Sequence, residues 1–323
     1  MPLTRLYRDG KIAAQGFPIA EVSDHLADPA CTVWFDLLRP TPDDLHSVSE
    51  ELGLHPLAVE DALTEHQRPK IDRYASHLFV TAYAVRLDVE TGELTKTTVN
   101  AFVTPNALVT IRPDESFDIN EVTSRWDLLP ALAKHGVAYL LHGLIDYVVD
   151  TLSDASEALD EQIEDLEDAL FDDRPTQSRD MQRRTYELRK SLVRLRHVVV
   201  PTQELVDGLR REGRAFDDAM EPYYEDVYDH ARRAVERADT LRELVSTILE
   251  TQLTLRGNRL NVIMKQVTSW AAIIAVPTAV TGFYGQNVPY PGFGSLWGFI
   301  LSSSIIAVLS VSLYLLFRRR DWL

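Results

Sequence analysis

Apolar positions along this chain follow three successive patterns. Up to about residue 145 they come in short runs of β-branched and aromatic type, at Thr32 to Leu38, His77 to Leu87 and Thr98 to Ile111. Runs of this length between turn formers predict strands, the last one folded as a hairpin around Thr104-Pro105-Asn106. Thr41 with Asp44 three residues later resembles a helix-start box, and Gly53 lies near the end of that helix. From about Val137 the spacing becomes helical. Leu152, Ala155, Leu159, Ile163, Leu166 and Leu170 recur at steps of three and four. A third pattern starts near Pro222, a residue suited to a first helical turn. Val227, Ala231, Ala234, Ala238, Leu241, Val245 and Ile248 alternate steps of four and three, a seam that predicts packing against neighbouring helices. No further proline occurs before Pro277, so the helix is predicted to continue for roughly 80 Å at the standard rise.

Two stretches near the end carry no charge: Val267 to Tyr284 and Leu296 to Phe317. As helices they would rise about 27 and 33 Å, one hydrocarbon core each, so both are transmembrane candidates. A buried soluble hairpin is the alternative, and two such segments separated by eleven uncharged residues fit a bilayer better. Arg256, Arg259 and Lys265 precede the first span, and Arg318, Arg319 and Arg320 follow the second. This positive bias places both flanks in the cytoplasm and the loop Gly285 to Ser295 outside. The N-terminus lacks the basic flank and apolar core of a signal peptide, so insertion is expected to rely on the C-terminal pair.

Charge changes the picture in the middle of the chain. Between Asp150 and Asp173 there are eleven acidic and no basic side chains, whereas Arg179, Arg183, Arg184, Arg189, Lys190, Arg194 and Arg196 follow Pro175. An antiparallel helical hairpin of complementary charge is one reading; a solvated acidic face with surface ion pairs of little worth is the other. The net charge of −16 argues against nucleic acid as a partner and makes cations the natural one. A single cysteine, Cys31, excludes an intramolecular disulfide, in keeping with a reducing cytosol. No Gly-rich phosphate loop with Lys and no His-Glu-x-x-His occurs, and the nine histidines form no close ligand motif. An enzyme, and with it a catalytic cofactor, is therefore not expected.

Two spans cannot enclose an aqueous path alone, so a pore requires several copies around an axis. Thr268, Ser269, Thr278 and Thr281 place hydroxyls in the first span, where each can also bond its own backbone. Gly282-Phe283-Tyr284-Gly285-Gln286-Asn287 ends that span with flexible backbone and two amides. Chemistry alone leaves two readings open: a helix cap, or a ring of carbonyl and amide oxygens that holds a hydrated cation.

That last segment resembles the Tyr-Gly-Met-Asn signature of the CorA magnesium-transporter family. Asn261 to Thr268 is similar to the family's membrane-entry segment, Asp226-Val227-Tyr228-Asp229-His230 to the start of its stalk helix, and Glu60-Asp61 with His66-Gln67-Arg68-Pro69-Lys70 to a cytoplasmic motif. The terminal Trp322-Leu323 after a basic cluster also fits. The resemblance implies a CorA-like pentameric funnel in the inner (plasma) membrane, with both termini cytoplasmic. Its fold would be an α+β cytoplasmic domain (1–145), an acidic/basic hairpin (146–220), a long stalk helix (221–266), a pore-lining transmembrane helix (267–284), an outer loop (285–295), a second transmembrane helix (296–317) and a basic tail (318–323). It further implies Gly285, Gln286 and Asn287 as selectivity filter, Asn261, Met264, Val267 and Thr278 along the conduction path, and Asp61 with Asp226 as ligands of regulatory Mg2+ between subunits. A salt bridge to a nearby arginine is the alternative for each of these two acids. Gln286 departs from the signature's methionine, and the loop Val288 to Gly294 lacks the acid that many members carry. Magnesium is the first expectation as transported ion, with cobalt, nickel or zinc, a proton-coupled zinc route like that of ZntB, and a membrane-anchored sensor as alternatives.

Overall fold

Seven strands form one sheet in the computed structural model, which describes residues 3–28, 30–64, 67–170, 177–286, 289–290 and 292–323, with the side chains of 177–179 and 212–216 excepted. They are β1 (Leu3–Arg8), β2 (Lys11–Gln15), β3 (Cys31–Leu38), β4 (Lys70–Arg73), β5 (Leu78–Asp88), β6 (Glu93–Val103) and β7 (Ala107–Arg112), in the order β2-β1-β3-β7-β6-β5-β4. Only the β3–β7 pair is parallel. The three apolar runs become β3, β5 and the β6–β7 hairpin, whose turn is closed by Thr104 N–H donating to Ala107 O at 2.9 Å. β1, β2 and β4 were not anticipated; arginines, lysines and an aspartate in LTRLYR, KIAAQ and KIDR mask their alternation.

Alternation gives the sheet two apolar faces. Trp34, Val80, Ala82, Ala101 and Leu108 belong to one core, together with α4 (Ile119–Leu128) and α6 (Val137–Ala169). Val33, Phe35, Phe79, Phe102 and Val109 belong to the other, together with α1 (Val22–Leu26), α2 (Pro42–Leu52) and α3 (Pro56–Leu63). The short α5 (Pro130–Ala133) leads into α6. The Thr41–Asp44 pair forms a reciprocal capping box at the start of α2, and Gly53 ends that helix in the left-handed region at φ 61°. One ion pair is buried in the sheet. Arg112 donates through Nε and Nη2 to Asp36, with Nη2 at 2.6 Å, while Nη1 donates to Phe117 O and Thr110 donates to Asp36.

Three long helices follow: α6, α7 (Gln177–Phe216) and α8 (Glu221–Tyr284). α6 starts at Val137, where strand signals cease. Its Gly143 admits the Trp126 indole, which a Cβ would meet at 2.6 Å, and Trp126 Nε1 donates to Leu140 O. Arg210 pairs with Glu225, and Arg196 with Asp239, so α7 and α8 run antiparallel. Tyr224 donates to Ala138 O and Arg237 pairs with Glu157, so α8 runs parallel to α6 and α7 runs opposite to both. Among the described residues no ion pair links acidic α6 with basic α7. Their charges are matched instead on β6, through Arg194–Glu93, and on α8. Every residue of the seam from Val227 to Ile248 is buried within the single chain. The seam is thus used for the chain's own packing and is not in itself a reason for assembly.

The chain divides into two compact units, Met1–Ser246 and Thr247–Leu323, and α8 contributes to both. In the second unit α8 continues through Pro277, and α9 (Leu296–Arg319) begins at Ser295, whose hydroxyl accepts from Gly298 N–H. Gly292, at φ 92°, lies so close to Gly298 that a Cβ on the latter would meet Gly292 O at 2.3 Å. Both apolar helices expose large side chains, among them Ile274, Val308, Leu309 and Leu315. In water such surface would be costly; in lipid it is the ordinary exterior.

Candidate functional site

The expected acids of the cytoplasmic unit have different surroundings. Asp61, on α3, accepts from Lys70 Nζ at 2.6 Å and from Gln67 Nε2 at 2.7 Å, and Lys70 also pairs with Asp72 at 2.6 Å. Partial burial raises the Asp61 pKa, but the Lys70 and Gln67 hydrogen bonds outweigh it and hold the carboxyl below its ordinary value. Within one chain Asp61 is therefore salt-bridged. Asp226, near the start of α8, is two-thirds exposed and lies 3.9 Å from His230 Nε2. Among the described residues Asp61 and Asp226 share no contact. His66, in the motif beside Asp61, lies outside the described residues.

A further group of possible ligands was not legible as a motif. Asp146 and Asp150 of α6 and His230 of α8 have ligand atoms within 4.8 Å of one another. Chain spacing hides them because α7 intervenes; the available signal was two pairs at i,i+4, Asp146/Asp150 and Asp226/His230. One guanidinium serves both carboxylates, with Arg125 Nη1 at 3.1 Å from Asp146 and 2.5 Å from Asp150. Burial and the neighbouring Asp150 raise the Asp146 pKa, against the lowering effect of His142 and Arg125. Burial lowers the His142 pKa. Two half-buried carboxylates sharing one cation retain unused acceptor capacity, and the His230 imidazole beside them offers a ring nitrogen as a further ligand.

In the second unit the residues expected along a path share one side of α8. At about 100° per residue, Met264, Val267 and Thr278 fall within about 60° of one another and Asn261 lies about 60° further round. All four are exposed, as is every residue from 253 to 268; over 269–280 the opposite side, at Ser269, Ile273, Val276 and Val280, is buried or half-buried. Ser269, Thr278 and Thr281 donate their hydroxyl protons to the carbonyls of Lys265, Ile274 and Pro277 at 2.7–2.9 Å. The hydroxyls of the exposed Thr278 and Thr281 thus keep lone pairs free to accept, which suits a cation or its water and not an anion, whereas Ser269 is buried. At the end of the helix Gly285 N–H donates to Thr281 O at 2.8 Å, Gln286 N–H to Phe283 O, and Tyr290 O–H to Tyr284 O. Gly285 and Gln286 therefore do cap α8. The Gln286 side chain is exposed, and Asn287 lies outside the described residues.

The sequence model of the CorA-like Mg2+ transporter protein family matches residues 30–319. This chain belongs to that family. It is 30% identical over 285 residues to the cobalt/magnesium transport protein CorA of Thermotoga maritima, covering 87% of this chain and 80% of the relative. It is 23% identical over 303 residues to the zinc transport protein ZntB of Yersinia pseudotuberculosis, covering 93% and 90%. In fold it resembles the complete structure of the CorA magnesium transporter from Methanocaldococcus jannaschii, with a TM-score of 0.79 at 21% identity over 100% of this chain and 99% of that one. Family membership makes the chain a membrane transporter and not an enzyme, and gives the two apolar helices their place as the membrane part.

Proposed function

We propose that the chain conducts divalent cations, magnesium first among them, as one subunit of a homopentamer, with Asn261, Met264, Val267 and Thr278 facing the path. The observation that carries this reading is the side of α8 on which Thr278 falls with Met264 and Val267, exposed and uncharged through the span while Ser269, Ile273, Val276 and Val280 opposite are buried or half-buried. Hydrated cations would pass hydroxyl and amide oxygens, and the apolar pair would form constrictions that close by dewetting. Gly285, Gln286 and Asn287 form the entrance filter in this reading. An exposed Gln286 adds a ring of amides there instead of packing as methionine would. The ions named for the relatives, magnesium, cobalt and zinc, set the range to be assayed.

Cytoplasmic magnesium is the regulator in this proposal. Asp61 and Asp226 are its expected ligands across subunits, and Asp146, Asp150 and His230 next to Asp226 enlarge the ligand supply on one side of that contact. Carboxylates facing each other repel until a cation bridges them, so bound ion favours the assembled, closed arrangement. In this reading both termini face the cytoplasm, an orientation that the basic flanks of the two spans favour.

The deciding experiment is divalent flux into liposomes for wild type, Asn287→Ala and Gln286→Met, after native mass spectrometry has established a pentamer. Asn287→Ala abolishes uptake, because the amide oxygen that bonds the ion's water shell is gone. Gln286→Met retains it and shifts preference among magnesium, cobalt and nickel. Normal uptake by pentameric Asn287→Ala would remove the filter assignment. A requirement for a pH gradient would favour a proton-coupled route of the kind the ZntB relative invites.

A further inference from the structure

A polar hollow interrupts the apolar sheet face that packs under α2 and α3. Register pairs Thr81 with Asn100 and Tyr83 with Thr98 across β5 and β6. Alternation puts all four on the same side as Phe79 and Phe102. At this end of the sheet Tyr83, Thr98 and Asn100 line a cavity of about 400 Å3 together with Arg39, Lys96 and Arg112. It lies beyond the carboxyl ends of the parallel pair β3 and β7, the side on which open sheets receive ligands.

The atoms around this cavity have unmet hydrogen bonding. Tyr83 and Asn100 are 2% and 7% exposed, and Tyr83 Oη, Asn100 Oδ1 and the neighbouring Thr81 Oγ1 are buried without a partner among the described residues. Three such atoms on one patch are unusual, since burial of an unpaired polar group costs its full hydration. Lys96 Nζ lies 4.1 Å from the centroid of the Tyr83 ring and makes no ion pair among the described residues. Arg112 is saturated by Asp36 and Phe117 O. The positive charge available to a ligand therefore belongs to Lys96 and Arg39, with Asp114 as the one acid in the lining. An ammonium and a phenol can donate, whereas Asn100 Oδ1 needs a donor. A volume in the range of small-molecule sites leaves room for both demands in one ligand.

We propose that this cavity binds a small hydroxylated oxyanion, a phosphate monoester or a hydroxycarboxylate. Its oxyanion is held by Lys96, Arg39 and the Tyr83 phenol, and its hydroxyl donates to Asn100 Oδ1. The test is calorimetric titration of the full chain in detergent, without magnesium, using glycerol 3-phosphate and malate as probes and glycerol as control. One probe binds saturably and glycerol does not; the tighter of the two identifies the oxyanion. Lys96→Gln weakens that binding about tenfold or more, as loss of a charge-assisted contact should. Tyr83→Phe weakens it too, yet raises the melting temperature of the ligand-free protein because it deletes an unpartnered buried hydroxyl. Failure of both probes to bind, affinities unchanged in both variants, or a lower melting temperature for Tyr83→Phe would each overturn the proposal. The first result would mean that water alone fills the hollow, and the last that the phenol is bonded within the fold.

Discussion

Two acidic sites in the cytoplasmic unit differ in how fully they are satisfied. Asp36 is 2% exposed and meets Arg112 through two guanidinium nitrogens, with a third bond from Thr110. Asp146 and Asp150 are about a third exposed and divide one guanidinium nitrogen, Arg125 Nη1, between them. Removing charges from water is tolerable where every lone pair finds a donor, and the first site meets that condition. It is a structural clasp between β3 and β7. The second site is underfilled and near water, with His230 within reach. Such an arrangement holds together with arginine alone but offers more acceptors than arginine uses, the property required of a site that exchanges cations.

The largest expected effect tests the clasp. Arg112→Ala leaves Asp36 buried and uncompensated, at a cost of about 3–5 kcal/mol to the cytoplasmic unit. Denaturant unfolding of the purified chain reads this directly. A loss below about 1 kcal/mol would mean that Asp36 is reached by water and that the two sites do not differ as described.

A smaller effect of opposite kind is expected at the underfilled site. Arg125→Ala removes the guanidinium that competes for the Asp146 and Asp150 oxygens, so magnesium should protect the cytoplasmic unit from protease at about tenfold lower concentration, a change of about 1.4 kcal/mol. Without magnesium the same variant should be cleaved faster than wild type, because two carboxylates then face each other unscreened. Identical magnesium midpoints for the two proteins would show that the cation binds elsewhere.

Legibility in the sequence follows the same division between local and distant determinants. The capping box at Thr41 and Asp44, strands β3 and β5 and the β6–β7 hairpin were readable because their signals lie within a few residues. The two spans were readable because a bilayer demands uninterrupted apolar length. The seam from Val227 to Ile248 was seen correctly as a packing surface, but its partners could not be read, since a buried stripe is the same whether its own chain or a copy covers it. Asp36–Arg112 and Asp146–Asp150–His230 join residues from distant elements, and no local pattern announces them. Asn261, Met264, Val267 and Thr278 came from a resemblance, and exposure does not single out the first three, because every residue from 253 to 268 is exposed.

The smallest effect concerns a carboxylate that is neither buried nor shared. Asp44 accepts from the Thr41 N–H at 2.8 Å and the Thr41 hydroxyl at 2.7 Å, and those bonds hold its pKa below the ordinary carboxyl value. A depressed folded pKa means that the ionised form is favoured by folding. The contribution is therefore fully present above the unfolded pKa of about 3.9 and is lost as pH falls through the lower folded value. Asp44→Ala should lower the unfolding midpoint slightly near neutrality, and the gap from wild type should close as the pH drops below about 4. If the Asp44 gap persisted at low pH, the carboxylate would be acting through helix packing and not as an acceptor at the start of α2.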